Sequence, residues 1–179
     1  MKTMTDIEML KKLRACELAV RAVKELHGGS LARARLENKN VSWALWLLDH
    51  IGASRQRLRL LACRFVRETP LGDGRKVWDL LVDERSRKAV EVSEKYASSE
   101  ATETAVEAAE AAARAAIMET ELNVMDATAW SAAWSAAWDA ARAAAWDAAR
   151  EAQIKMIHEE FSEDEVAEMI QRKKEELLK

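Results

Sequence analysis

Apolar residues recur every three or four positions along most of the chain, the spacing of amphipathic helices, and no apolar/polar alternation bounded by turn residues stands out. The pattern predicts helices and no strand. Thr5-Asp6-Ile7-Glu8 reads as a capping box opening a helix to His27, where Gly28-Gly29 ends it; Leu10, Leu13, Leu18, Val20, Val23 and Leu26 are its expected buried stripe. Ser30 is the expected cap of a short helix through Leu36. Glu37 to Asn40 form a polar turn, and residues 41–51 an apolar helix with Trp43, Trp46, Leu47 and Leu48, stopped by Gly52. Ser54 opens a helix to about Arg67 with Leu58, Leu61, Ala62, Phe65 and Val66 on its core face.

Thr69-Pro70-Leu71-Gly72-Asp73-Gly74 is the longest breaker cluster and the expected exposed loop, mobile or facing a ligand. A short helix over 75–82 follows, carrying Trp78, and Asp83 caps another to Tyr96. Residues 100–118 form an Ala-rich helix with Glu103, Glu107, Glu110 and Arg114 along one line. Asp126 opens the longest helix, about 50 Å through Phe161, in which Trp130, Trp134, Trp138 and Trp146 recur among alanines. Alanine favours helix and lets a neighbouring backbone approach closely, so this helix is expected to pair with 100–118 in a hairpin. Ser162-Glu163-Asp164-Glu165 opens a last amphipathic helix with Val166, Met169, Ile170 and Leu177, ready to dock on the body or on a second subunit.

These readings give an all-α fold: a multi-helix bundle with a long Ala/Trp-rich helical hairpin and an amphipathic C-terminal helix. The expected parts are a basic short-helix region (1–97), the hairpin (98–161) and the terminal helix (162–179), within one compact domain. Composition agrees, with 49% hydrophobic residues, five glycines and one proline in 179 residues. No apolar stretch resembles a signal peptide or an uncharged membrane span, so the protein is expected to be cytoplasmic. Cys16 and Cys63 lie in apolar helical patterns without metal-ligand spacing and are read as reduced core residues.

Charge is unevenly distributed. Residues 1–100 carry 20 Lys and Arg against 14 Asp and Glu, a net +6, and residues 101–179 carry 8 against 17, a net −9. Such halves attract each other, within one chain or between subunits, and the basic half also suits an acidic partner. Arg55, Arg57, Arg59, Arg64 and Arg67 fall on one helix with no acid between them. Guanidinium forks pair with carboxylates and phosphates, so Arg55, Arg57, Arg64 and Arg67 are candidate partner contacts, and a solvated or internally paired face is the alternative. Trp78, Trp134, Trp138, Arg142 and Trp146 complete the candidate set, because an indole beside an arginine can anchor a protein interface or stack on a nucleotide whose phosphate the arginine holds. The alternative use of the tryptophans is filling the core, expected for at least two of the four on the Ala-rich helix; four indoles on one helix also invite self-association. Generic nucleic-acid binding is disfavoured by an isoelectric point near 5.8 and the lack of a reading motif. His27, His50 and His158 have no zinc spacing, and no nucleophile–base pattern or phosphate loop stands out, so neither catalytic residue, metal nor cofactor is expected.

Four segments carry a resemblance: Arg14-Ala15-Cys16-Glu17-Leu18-Ala19-Val20, Trp43-Ala44-Leu45-Trp46-Leu47-Leu48, Arg59-Leu60-Leu61-Ala62-Cys63-Arg64 and Arg85-Ser86-Arg87-Lys88-Ala89-Val90-Glu91. Together with the Ala/Trp tract they resemble a family of small helical proteins of bacteria and their phages, some similar to immunity proteins of toxin systems. The resemblance implies a non-enzymatic protein acting by stoichiometric protein–protein interaction in phage–bacterium or toxin–immunity conflict, inhibiting a toxin or a host defence component. It assigns no functional residue. A nucleotide-sequestering protein and a self-assembling helical scaffold or homo-oligomer are the alternatives.

Overall fold

The computed structural model describes residues 3–109, 111–112 and 148–179. Its architecture is an all-α multi-helix bundle. The described helices are α1 (Asp6–Lys12), α2 (Glu17–Leu26), α3 (Leu31–Glu37), α4 (Val41–His50), α5 (Arg55–Glu68), α6 (Glu84–Ala97) and α7 (Glu163–Leu177), with further helical residues at 103–109 and 148–160. Among the described residues there is no strand, only an isolated bridge between Pro70 and Lys76. None of the described helices is long and apolar enough to cross a membrane. The expected Ala/Trp hairpin falls mostly outside the described residues, as do Trp130, Trp134, Trp138, Arg142 and Trp146.

The chain divides into two compact units, one of Met1–Leu58 with Ile154–Lys179 and the other of Arg59–Gln153. In the first, α1 touches α2 and α7, and α3 touches α2 and α7. The expected apolar face of the last helix lies here: Val166, Met169 and Ile170 are buried, along with Met9, Leu10, Val23, Leu31, Leu47, Leu48, Ile157 and Phe161. Polar ties reinforce this packing. Asp6 accepts the Leu31 amide at 2.7 Å and pairs with Lys174, joining the starts of α1 and α3 to α7. Lys12 donates to the Leu177 carbonyl at 2.6 Å, a cation at a helix C-terminus.

Helix starts follow the sequence reading. The Thr5 hydroxyl accepts the Glu8 amide while Glu8 accepts the Thr5 amide at 2.8 Å. Ser30, Asn40, Asp83 and Ser162 each accept an amide from the first turn of the helix that follows.

One helix stop corrects it. The helix expected over 5–27 is two helices, because Arg14 adopts a left-handed φ of 58°. Its amide donates to Lys11 and that of Ala15 to Leu10 at 3.0 Å, the paired bonds of a Schellman stop. Ser99, φ 62°, ends α6 with the same pair of bonds, as Gly52 ends α4. The break turns α2 relative to α1, so the stripe expected of one continuous helix does not hold. Leu10 and Val23 are buried, but Leu18 and Leu26 are 67% and 72% exposed. Cys16, expected in the core, is exposed at the start of α2, whereas Cys63 is buried; both are free thiols.

In the second unit Leu61, Cys63, Thr69, Ala97 and Val106 are buried, while Ala62, expected beside Leu61, is exposed. The helix expected over 75–82 contracts to one 3₁₀ turn, Val77–Leu80. The reason lies in the preceding loop. Leu71 donates to Arg75 at 2.7 Å and Val77 to Thr69 at 3.0 Å, fixing the backbone before an α-helix can start.

A non-glycine residue in the left-handed region is strained by about 1 kcal/mol. Arg14→Gly is therefore expected to raise stability by about 0.5–1 kcal/mol, read as a higher urea midpoint at unchanged m-value.

Candidate functional site

The five arginines of α5 have different surroundings. In the first unit, Arg57 donates from Nε to Glu160 at 2.8 Å, from Nη1 to the Glu165 carboxylate and from Nη2 to the Glu160 carbonyl, while its guanidinium lies 4.2 Å from the Phe161 ring centroid. Hydrogen bonds from Arg57 hold the Glu165 carboxyl below its usual range, and the carboxylates raise Arg57 in return. Arg35, which the sequence reading did not single out, donates to the Phe161 carbonyl from a buried position. Two guanidiniums thus satisfy the last carbonyls of helix 148–160. Burial lowers the Arg35 pKa, opposed by the charges of Glu163 and Glu165. His158 lies against the Arg35 carbonyl at 3.3 Å; burial, then the Arg35 charge, lower its pKa.

The second unit holds the other pairings. Arg67 makes a two-pronged contact with Glu94, Nε to Oε1 at 2.5 Å and Nη2 to Oε2 at 2.7 Å. Its guanidinium lies 4.2 Å from the Trp78 ring centroid, and that of Arg87 lies 5.6 Å from the same ring. Arg59 sits over Tyr96 at 4.4 Å, and Arg64 pairs with Glu68 at 2.9 Å. Arg55 is exposed and has no ion pair among the described residues. Of the expected site residues, then, the structure brings Arg67 to Trp78, and gives Arg57 and Arg64 carboxylate partners within the chain.

Arg87, Glu94 and Tyr96 were not singled out from sequence. Their signal is their place on the Asp83-capped helix α6, where Arg87 is the fourth residue, but their partners come from elsewhere in the chain. Cys63, His27 and His50 are also engaged. Burial pushes the Cys63 thiol up, and its sulfur lies 3.8 Å from the Val90 carbonyl. His27 meets Glu37 at 2.9 Å, and the His50 ring donates to the Trp46 carbonyl at 2.8 Å and stacks on that indole. Among the described residues no group of three His, Cys, Asp or Glu converges to hold a metal ion. The chemistry concentrated around Trp78 is that of recognition: an aromatic plate and two cations, one already neutralised.

Two predictions concern the Arg57 network. Arg57→Glu is expected to lower stability by about 1–2 kcal/mol, discounted because both partners are about one-third exposed; chemical denaturation of the full chain measures it. A histidine whose folded pKa is depressed stabilises fully above its unfolded value, so His158 should cost stability as pH falls below about 6.5. Glu165, depressed as a carboxylate, contributes above about 4.5 and is lost as pH falls through its lower folded value. Stability measured against pH should show both windows, with the first flattened in His158→Gln and the second in Glu165→Gln. Compared with family models, with curated proteins and with solved structures, the chain finds no match in any of the three.

Proposed function

We propose that the protein acts without catalysis, by stoichiometric binding of another protein through the corner formed by loop 69–82 and the start of α6. The observation that carries this reading is the side chain of Val82, 89% exposed, with Leu80 at 48%, on a segment held by local hydrogen bonds. Lys76 donates its amide to Asp79 at 2.8 Å, and Asp83 accepts the Arg85 amide while pairing with its guanidinium. Aliphatic groups fixed in water gain about 1.5–3 kcal/mol each when a partner covers them fully, and a prearranged loop loses little entropy on binding. Trp78, two residues before Leu80, and the two arginines at its ring are residue types enriched at interface hot spots. Because two cations already lie at the Trp78 ring, this corner suits a protein better than a stacked nucleotide. The biological setting follows from the resemblance to phage and immunity proteins: neutralising a toxin or blocking a defence component.

Native mass spectrometry of the full chain, purified gently from host lysate, tests the reading against a Leu80→Glu, Val82→Glu variant of equal helicity. A discrete added mass of tens of kilodaltons on the wild type and its loss from the variant are expected. Retention by the variant would overturn this surface. A wild type carrying only a few hundred daltons would point to a small ligand, and a homo-oligomer alone to a scaffold.

A further inference from the structure

We infer that Arg87 is the charged anchor of this corner, and that the partner segment it takes places a carboxylate beside an aliphatic side chain. The inference rests on the protein-binding reading and adds the chemistry of the partner. Arg67 and Arg87 both approach Trp78, but only Arg67 has its charge met, by the two-pronged contact with Glu94. The Arg87 amide donates to the Asp83 carbonyl at 3.3 Å, but its side chain makes no ion pair or hydrogen bond among the described residues, and its Nε is buried without a hydrogen-bond partner. A guanidinium held against an indole has lost part of its freedom and hydration, which lowers the cost of presenting it to a carboxylate.

Sequence position explains why an apolar group lies at hand. Asp83 caps α6, so Val82 occupies the place just before the cap and Arg87 the fourth helical position. In many helices these two positions hold apolar residues that pack on each other. Here the fourth residue is an arginine turned toward Trp78, and Val82 is left 89% exposed. Cation and valine therefore stand at one helix corner, with Leu80 close in sequence. A complementary segment needs an acid for Arg87 and an aliphatic side chain for Val82 and Leu80. Charge complementarity favours such a peptide over an uncharged apolar one.

The test pans a phage-displayed random twelve-residue peptide library against the immobilised full-length protein and against Arg87→Gln, Arg87→Lys and Val82→Glu, each first shown to keep wild-type helicity. The wild type is expected to enrich peptides with Asp or Glu adjacent to Leu, Ile or Val. Individual peptides should bind Arg87→Gln roughly tenfold or more weakly, recover only in part on Arg87→Lys, which keeps the charge but not the fork, and be lost on Val82→Glu. Peptides that depend on Val82 but show no acidic preference and bind Arg87→Gln unchanged would overturn the role of Arg87 while leaving the protein-binding surface standing. Failure to enrich any peptide sensitive to Val82→Glu would overturn both.

Discussion

The first unit depends on how the C-terminal end of helix 148–160 is closed. A helix end leaves carbonyls without intrahelical donors, and here the end is buried with Phe161, which is 0% exposed. Arg35 and Arg57 supply the donors, to the Phe161 and Glu160 carbonyls. Burying Arg35 and half-burying Arg57 is unfavourable unless their charge is met, and the acidic first turn of α7 provides for that: Glu165 binds Arg57, and Glu163 and Glu165 bear on Arg35. One junction thus joins α3, α5, helix 148–160 and α7. Taking away Arg35 alone would leave Phe161 with an orphaned carbonyl.

The same network accounts for part of the charge asymmetry along the chain. Arg57 from the basic half meets Glu160 and Glu165 from the acidic half, and Lys12 meets the end of α7. Charge that in sequence suits a binding surface is here spent on cohesion. The second unit differs in one respect. Arg67 is matched by Glu94, but Arg87, nearby on the same indole, has no matching acid among the described residues.

Helix identity and most helix starts were legible because each is written locally, in apolar spacing and in a polar residue at the cap; α2, whose cap is Cys16 with no side-chain bond, is the exception. Most stops were legible to within a residue, in glycines after α2 and α4 and in polar breaks after α3 and α6. At Arg14 the left-handed residue is not glycine and no break marks it, and the favourable bonds back to the helix outweigh the strain, so the division of α1 from α2 and the exposure of Leu18 were missed. The arginines of α5 were visible as a group, but what Arg57 and Arg67 do depends on acids 27 to 108 residues away, beyond any local spacing. Trp78 was picked out by residue type. Arg87 was not, because its significance lies in a charge left unmatched, which only the surroundings reveal.

The first unit is discontinuous, with residues 59–153 inserted between its two parts. During synthesis α1 to α4 therefore leave the ribosome well before Phe161, Val166 and Ile170 exist to cover them. At 5–20 residues per second, a gap of roughly 95 residues lasts on the order of 5–20 s. Throughout that interval Met9, Leu10 and Leu31 lack part of their final packing and Arg35 lacks its carbonyl. Chaperones and proteases thus have a window on the nascent chain that closes only when its last helix docks.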